Sequence, residues 1–200
     1  MAIKFQYNKT ALQQLDKQLK VRARALPTLK NKEAALRVEV KKAKEVAEEL
    51  DRKLESKLKQ YDKLTHLWNE FDNQLVTVEG VDLSIKKIAG VKTPVLEGIK
   101  FSIAPFSVFN APSWYLDGID VIQSLAKLGI EREVFMQKMS LLDQSRRKTT
   151  QKVNLYEKVQ IPGFQDAIRM IKRYLEDEEN LSKAAQKIVK TRIQEMEASL

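Results

Sequence analysis

The chain has 200 residues, 43% hydrophobic and 32% charged, with a formal net charge of +9. That is the composition of an ordinary soluble chain long enough to build a core. It contains no cysteine, which excludes disulfides, thiolate metal sites and cysteine nucleophiles. No window approaches the roughly 18 consecutive apolar residues of a bilayer-spanning helix.

The N-terminal stretch MAIKFQYNKT has no apolar leader core, so the expectation is a cytoplasmic chain without direct membrane insertion. Residues 1–32 carry six Lys and two Arg against one acid, Asp16. A run of this kind is either a solvated helix face or a face turned toward something acidic, nucleic acid and membrane surfaces being the standard cases. Stepping alternately by three and four from Leu12 reaches Leu15, Leu19, Arg22, Leu26, Leu29, Glu33, Leu36, Val40, Ala43, Ala47, Leu50, Leu54, Lys57, Tyr61, Leu64, Trp68, Phe71, Leu75 and Val78. Only Arg22, Glu33 and Lys57 break an otherwise apolar line. A repeat of about 3.5 residues sustained this far predicts a coiled-coil helix over 1–79, with a kink at Pro27.

Four of the six glycines and three of the five prolines fall within residues 80–118. The span 80–116 is therefore read as a hairpin and loop region. Val81, Leu83 and Ile85 alternate with polar residues, as do Val95, Ile99, Phe101 and Ile103, with GVKTP expected as a five-residue connection. Pro105, Pro112, Phe106, Phe109, Trp114 and Tyr115 then lead into a helix over 117–200, with Asp117 as its expected N-cap.

This last helix carries a weaker stripe: Phe135, Met139, Leu142, Arg146, Thr149, Val153, Tyr156 and Gln160. The next apolar run, Phe164, Ile168, Ile171 and Leu175, arrives one residue late. The slip coincides with Pro162-Gly163, the two least favourable helix residues side by side, and predicts a local change of winding there. Beyond Leu175 the stripe is ragged and crossed by the acidic run Glu176–Glu179. The resulting expectation is an all-α fold: a long antiparallel two-helix coiled coil of the N- and C-terminal helices, with a small β-hairpin in the middle of the chain.

The residues offer little chemistry. GVKTPVLEGIK lacks the spacing of a phosphate-cradling loop. His66 is the only histidine, and a lone His on a helix face is more often a surface or seam residue than a ligand. Carboxylates such as Glu48, Glu49 and Asp51 sit among lysines rather than in an apolar pocket that would separate their pKa values. Trp68 and Phe71 fall on the seam, where a core role outweighs stacking on a ligand. No enzyme is legible.

The run KTTQKVNLYEKVQIP, from Lys148 to Pro162, resembles the segment K-T-R-R-R-V-N-A-L-E-x-x-x-I-P of the D subunit of the V-type and A-type rotary ATPases. The shared positions are Lys148, Thr149, Val153, Asn154, Glu157, Ile161 and Pro162. LKNKEAAL, from Leu29 to Leu36, is similar to that family's L-K-x-K-R-D-x-L. The chain departs at Thr150, Gln151 and Lys152, where the family has an arginine triplet, and at Glu33-Ala34, where it has Arg-Asp. The layout of helix, Gly/Pro-rich centre and helix extends the resemblance over nearly the whole chain. It implies a non-catalytic central rotor shaft without cofactor or metal, on a complex peripheral to the membrane. The implied partners are the catalytic and regulatory subunits of a hexameric head, a small central-stalk subunit and an adaptor to the membrane ring. In such an arrangement Lys9, Lys17, Lys20, Arg22, Arg24, Lys190 and Arg192 would face the head. A static coiled-coil scaffold or tether fits the heptads equally, and charge alone supports a nucleic-acid binder.

Overall fold

The computed structural model describes residues 4–61, 71–72, 74–107 and 112–198. Leu64, His66, Trp68 and Phe109 lie outside the described residues. The described chain is mostly helical: an N-terminal helix, a two-stranded antiparallel hairpin, and a long C-terminal helical stretch. It divides into two compact units, Met1–Asn31 with Thr149–Leu200, and Lys32–Lys148.

Helix α1 spans Lys9–Tyr61. It begins where Asn8 Oδ1 accepts the Ala11 N–H at 2.6 Å, an N-cap that satisfies one of the orphan donors of the first turn. Pro27 lies inside the helix, and the helix continues through it. The five buried α1 residues, Leu15, Leu36, Ala43, Ala47 and Leu50, all lie on the 3-4 line read from the sequence. The end of that line is not helical, because β1 begins at Val76. Leu75 and Val78 fit a three-residue step, but Val76 and Val78 equally fit the period of two that the strand uses.

In the first unit, Leu15 of α1 clusters with Phe164, Ala167 and Ile171, flanked by Leu12, Leu19, Ile168 and Leu175. Lys30 pairs with Glu157 at 2.6 Å, and the rings of Tyr7 and Tyr174 lie 4.9 Å apart. Rising numbers on one side meet falling numbers on the other, so these two segments pack antiparallel.

The second unit holds the hairpin, β1 (Val76–Ile88) and β2 (Val91–Ile103), and most of helix α2 (Tyr115–Asn154). The turn is tighter than the five-residue connection expected: Ala89 and Gly90 alone join the strands, with φ of 49° and 80°. Two successive left-handed residues match the right-handed twist of paired strands, so most of GVKTP is drawn into β2. Pro94 is tolerated within β2 because the sheet has only two strands and each keeps an open edge. Helix α2 also starts earlier than expected. Asp117 lies in its first turn and is not the N-cap, because an aromatic cluster fixes the chain entry two residues before it. Phe71, Leu75 and Ile119 form the centre of that cluster, with Phe106, Trp114 and Tyr115 around it. A Cβ on Gly118 would come within 3.1 Å of Phe71 and 3.2 Å of Trp114, so the glycine permits the rings to close on the helix. On the α1 side, Arg132 pairs with Asp51 at 2.7 Å, and Lys57 Nζ donates to Ser124 Oγ at 3.3 Å, again in antiparallel order.

Truncating the buried seam should be costly where truncating the exposed stripe is not. Ile171→Ala should cost about 2–5 kcal/mol of unfolding free energy in a denaturant titration, because Ile171 is fully buried, whereas the same truncation at exposed Leu181 should cost under about 0.5 kcal/mol. A pH titration tests a different contact. Asp143 accepts bonds from Arg146 and Arg147 at 2.8 and 2.7 Å, and the Arg146 bond chiefly holds its carboxyl below the ordinary value of 3.8. A depressed folded pKa adds stability above the ordinary carboxylate value, and that stability is lost as pH falls through the lowered one. Asp143→Asn should therefore be less stable than the parent at neutral pH, and the difference should shrink on titration to about pH 3.

Candidate functional site: the wide turn before Pro162

Between α2 and the last helix, α3 (Ile161–Ala198), the chain winds as a π-helix over Leu155–Gln160. The Ile161 N–H donates to Tyr156 O, five residues back instead of four. A turn of this kind absorbs one extra residue without ending the helix. The phase slip seen in the sequence is therefore real, but it sits in the six residues ahead of Pro162-Gly163 rather than on them. Proline explains the neighbourhood. In α winding Pro162 would leave the Lys158 carbonyl without its donor and press its ring against it, and a widened turn relieves that crowding.

The consequence is a continuous buried face. Thr149 and Val153 are buried before the turn, and Phe164, Ala167 and Ile171 after it, with Tyr156 and Gln160 half-buried between. With unbroken α winding the second group would rotate by about 100° away from Leu15.

Arg22 holds the turn from the opposite helix. Its Nε donates to Gln160 Oε1 at 2.6 Å. Its guanidinium lies 5.9 Å from the centre of the Tyr156 ring and 4.7 Å from that of Phe164, one ring within the turn and the other just past it. A planar cation that hydrogen-bonds in its plane and stacks on its faces suits arginine and not lysine. Arg22 and Gln160 both interrupted apolar lines in the sequence, and that coincidence was the available signal for the pair.

The motif residues take different parts in this geometry. Thr149 and Val153 are buried, and Ile161 is half-buried. Asn154 is exposed and is the last residue of α2 before the π segment, in helical conformation and without a side-chain capping bond. Glu157 is exposed and paired with Lys30 across the helices. Lys148 and Pro162 are exposed.

Of the basic residues, Lys9, Lys17, Lys20 and Arg24 are exposed on α1, and Lys190 and Arg192 on α3. Arg22 is the exception, engaged inward as described. Lys20 is paired with Asp16 at 2.7 Å. Lys9 lines a groove with Lys172, Glu176 and Glu179; the Glu179 carboxyl is held below its ordinary value, first by its bond to Lys183 and in smaller part by Lys9.

From Glu176 to Glu197 every residue of α3 is exposed, and Leu181, Ala185, Ile188 or Val189, Ile193 and Met196 recur along it at spacings of about three and four residues. Among the described residues, no helix is long and apolar enough to cross a membrane.

Arg22→Met, which keeps the stem and removes the cation, should lower unfolding stability by about 1–3 kcal/mol. It should also speed amide hydrogen exchange across Gln160–Phe164, and Arg22→Lys should recover little of either. Exchange rates and stability equal to the parent's would show that the turn holds itself.

The sequence matches the family model for the D subunit of ATP synthase over residues 11–191. It is 27% identical over 191 residues to the D subunit of the V-type ATP synthase of Borreliella burgdorferi, covering 94% of each chain. It is 26% identical over 177 residues to the D subunit of the V-type ATP synthase of Chlamydia pneumoniae, covering 84% of this chain and 83% of that one. The helices, the hairpin between them and the wide turn before Pro162 are thus those of a chain that belongs to the ATP synthase D-subunit family.

Proposed function

We propose that the chain is the non-catalytic central rotor shaft of a V/A-type rotary ATPase. Its α1 and α2–α3 segments would form an antiparallel coiled coil that turns inside a hexameric head of catalytic and regulatory subunits. A small central-stalk subunit would bind its side, and an adaptor would link it to the ion-translocating membrane ring. The protein would then be cytoplasmic and peripheral to the membrane as part of that complex.

The observation that carries this reading is the end of α3. A stretch of 22 residues, Glu176–Glu197, is exposed throughout and has an apolar stripe down one side. One end of the helix is built into the chain's own packing, and the other presents a face suited to a socket made by other subunits. Lys17, Arg24, Lys190 and Arg192 add positive charge at the same two chain ends. The one-residue offset at the wide turn also makes the faces of the helix pair inequivalent, which a shaft needs if identical surrounding sites are to differ from one another. A static tether would use the heptads but has no need of that offset.

Mixing the purified chain with catalytic and regulatory head subunits should give a stoichiometric complex on gel filtration. Reversing Lys17, Arg24, Lys190 and Arg192 to Glu should weaken that complex at least about tenfold and leave unfolding stability within about 0.5 kcal/mol, since exposed charges contribute little to folding. If no complex forms with the parent chain, the shaft reading fails. Undiminished affinity in the reversed variant would return these charges to the role of a solvated face.

A further inference from the structure

The hairpin carries an apolar face that the chain builds with care and then covers only in part. Paired residues of an antiparallel ladder share a face, and the register joins Val76 to Ile103, Val78 to Phe101, Val81 to Ile99, Leu83 to Leu96 and Ile85 to Pro94. All ten are apolar. A strict alternation could not have produced this, because Val78 to Val81 and Ile99 to Leu96 are each three residues apart. Two bulges absorb the odd residues, Glu79 on β1 and Glu97 on β2. A one-residue slip would have turned half of each apolar set to the other side. The surface is thus specified over the length of the hairpin.

Its β2 half is mostly half-buried. Pro94, Leu96, Ile99 and Phe101 line a groove of about 440 Å³ together with Val134 and Phe135 of α2. The β1 half is open: Val78, Val81, Leu83 and Ile85 are 45%, 36%, 49% and 71% exposed. On the same face stand Lys87 and Lys92, a register pair near the turn, and Lys127 and Lys138 are on the groove wall, none of them in an ion pair among the described residues. Glu131 is the one acid on the α2 wall of the groove.

We infer that this face is the docking site for an amphipathic helix of another protein chain, apolar on one side and acidic along its flanks. The apolar side would lie on Val78, Val81, Leu83 and Ile85, and the carboxylates would meet the lysines. Charge argues against a second copy of this chain, since a symmetric contact would set these lysines against their own counterparts. The bulge at Glu79 argues against an added strand, because it breaks the row of donors and acceptors along the free edge of β1.

The inference rests on the stalk reading only in that the partner is sought among subunits of the same complex. A photo-crosslinking amino acid at Leu83, an exposed position, is activated in the complex purified with its neighbouring subunits, and the adduct is mapped by mass spectrometry. An adduct on an acidic, amphipathic helical segment of another subunit is the expected result. With it, Leu83→Glu and Lys87→Glu should each weaken association with that subunit at least about tenfold, while the melting temperature of the isolated chain stays unchanged. An adduct on a second copy of this chain, an adduct on lipid, or no adduct in the intact complex would each overturn the proposal. Failure of the stalk reading is distinguishable, because the chain would then not purify with the head subunits at all.

Discussion

The constraint on which the structure depends is phase: each long element must keep one apolar side in register with its partner over many residues, although the sequence is not perfectly periodic. Helix α1 meets it by composition, with every buried residue on one 3-4 line. The other elements meet it by local changes of geometry that absorb one residue. The π turn at Leu155–Gln160 returns Phe164, Ala167 and Ile171 to Leu15, and the bulges at Glu79 and Glu97 keep the hairpin's apolar face unbroken. These devices share a physical logic. Rotating a buried set out of contact forfeits several side chains' worth of burial at about 1.5–3 kcal/mol each, far more than one irregular hydrogen bond.

Two of the three polar interruptions of the α1 line find polar partners on the segment facing them, while the third, Glu33, pairs with Arg37 on its own helix. Arg22 bonds Gln160, and Lys57 bonds Ser124. At Arg22 the pairing also uses the cation on two aromatic faces, so the same residue that breaks the line on α1 secures the wide turn opposite. Such matched breaks fix one alignment of two segments against slides by a heptad, which an uninterrupted leucine line would tolerate.

Much of this was legible in the sequence. The 3-4 line found every buried residue of α1, and the late arrival of Phe164 announced an extra residue near Pro162. The form of the answer was not legible, because a change of phase can be met by a kink, a break or a π turn, and the choice depends on what the facing helix offers. Arg22 read as one cation among many on a basic helix, and only its placement between Tyr156 and Phe164 gives it a distinct part. Local signals misled at the turn, where GVKTP looked like a loop although Ala89-Gly90 suffices. They misled again at Asp117, a good capping residue by type, because the packing of Trp114 and Tyr115 on Phe71 determines where the helix begins.

The proposed role ties these features together: a helix pair kept in phase can carry torque, while an offset in one helix gives it distinguishable faces. The most direct measurement fixes the head subunits to a surface, attaches a bead to this chain in the reconstituted complex, and follows its angle after ATP is added. The account predicts sustained rotation in one direction. A complex that hydrolyses ATP while the bead holds a constant angle would contradict it.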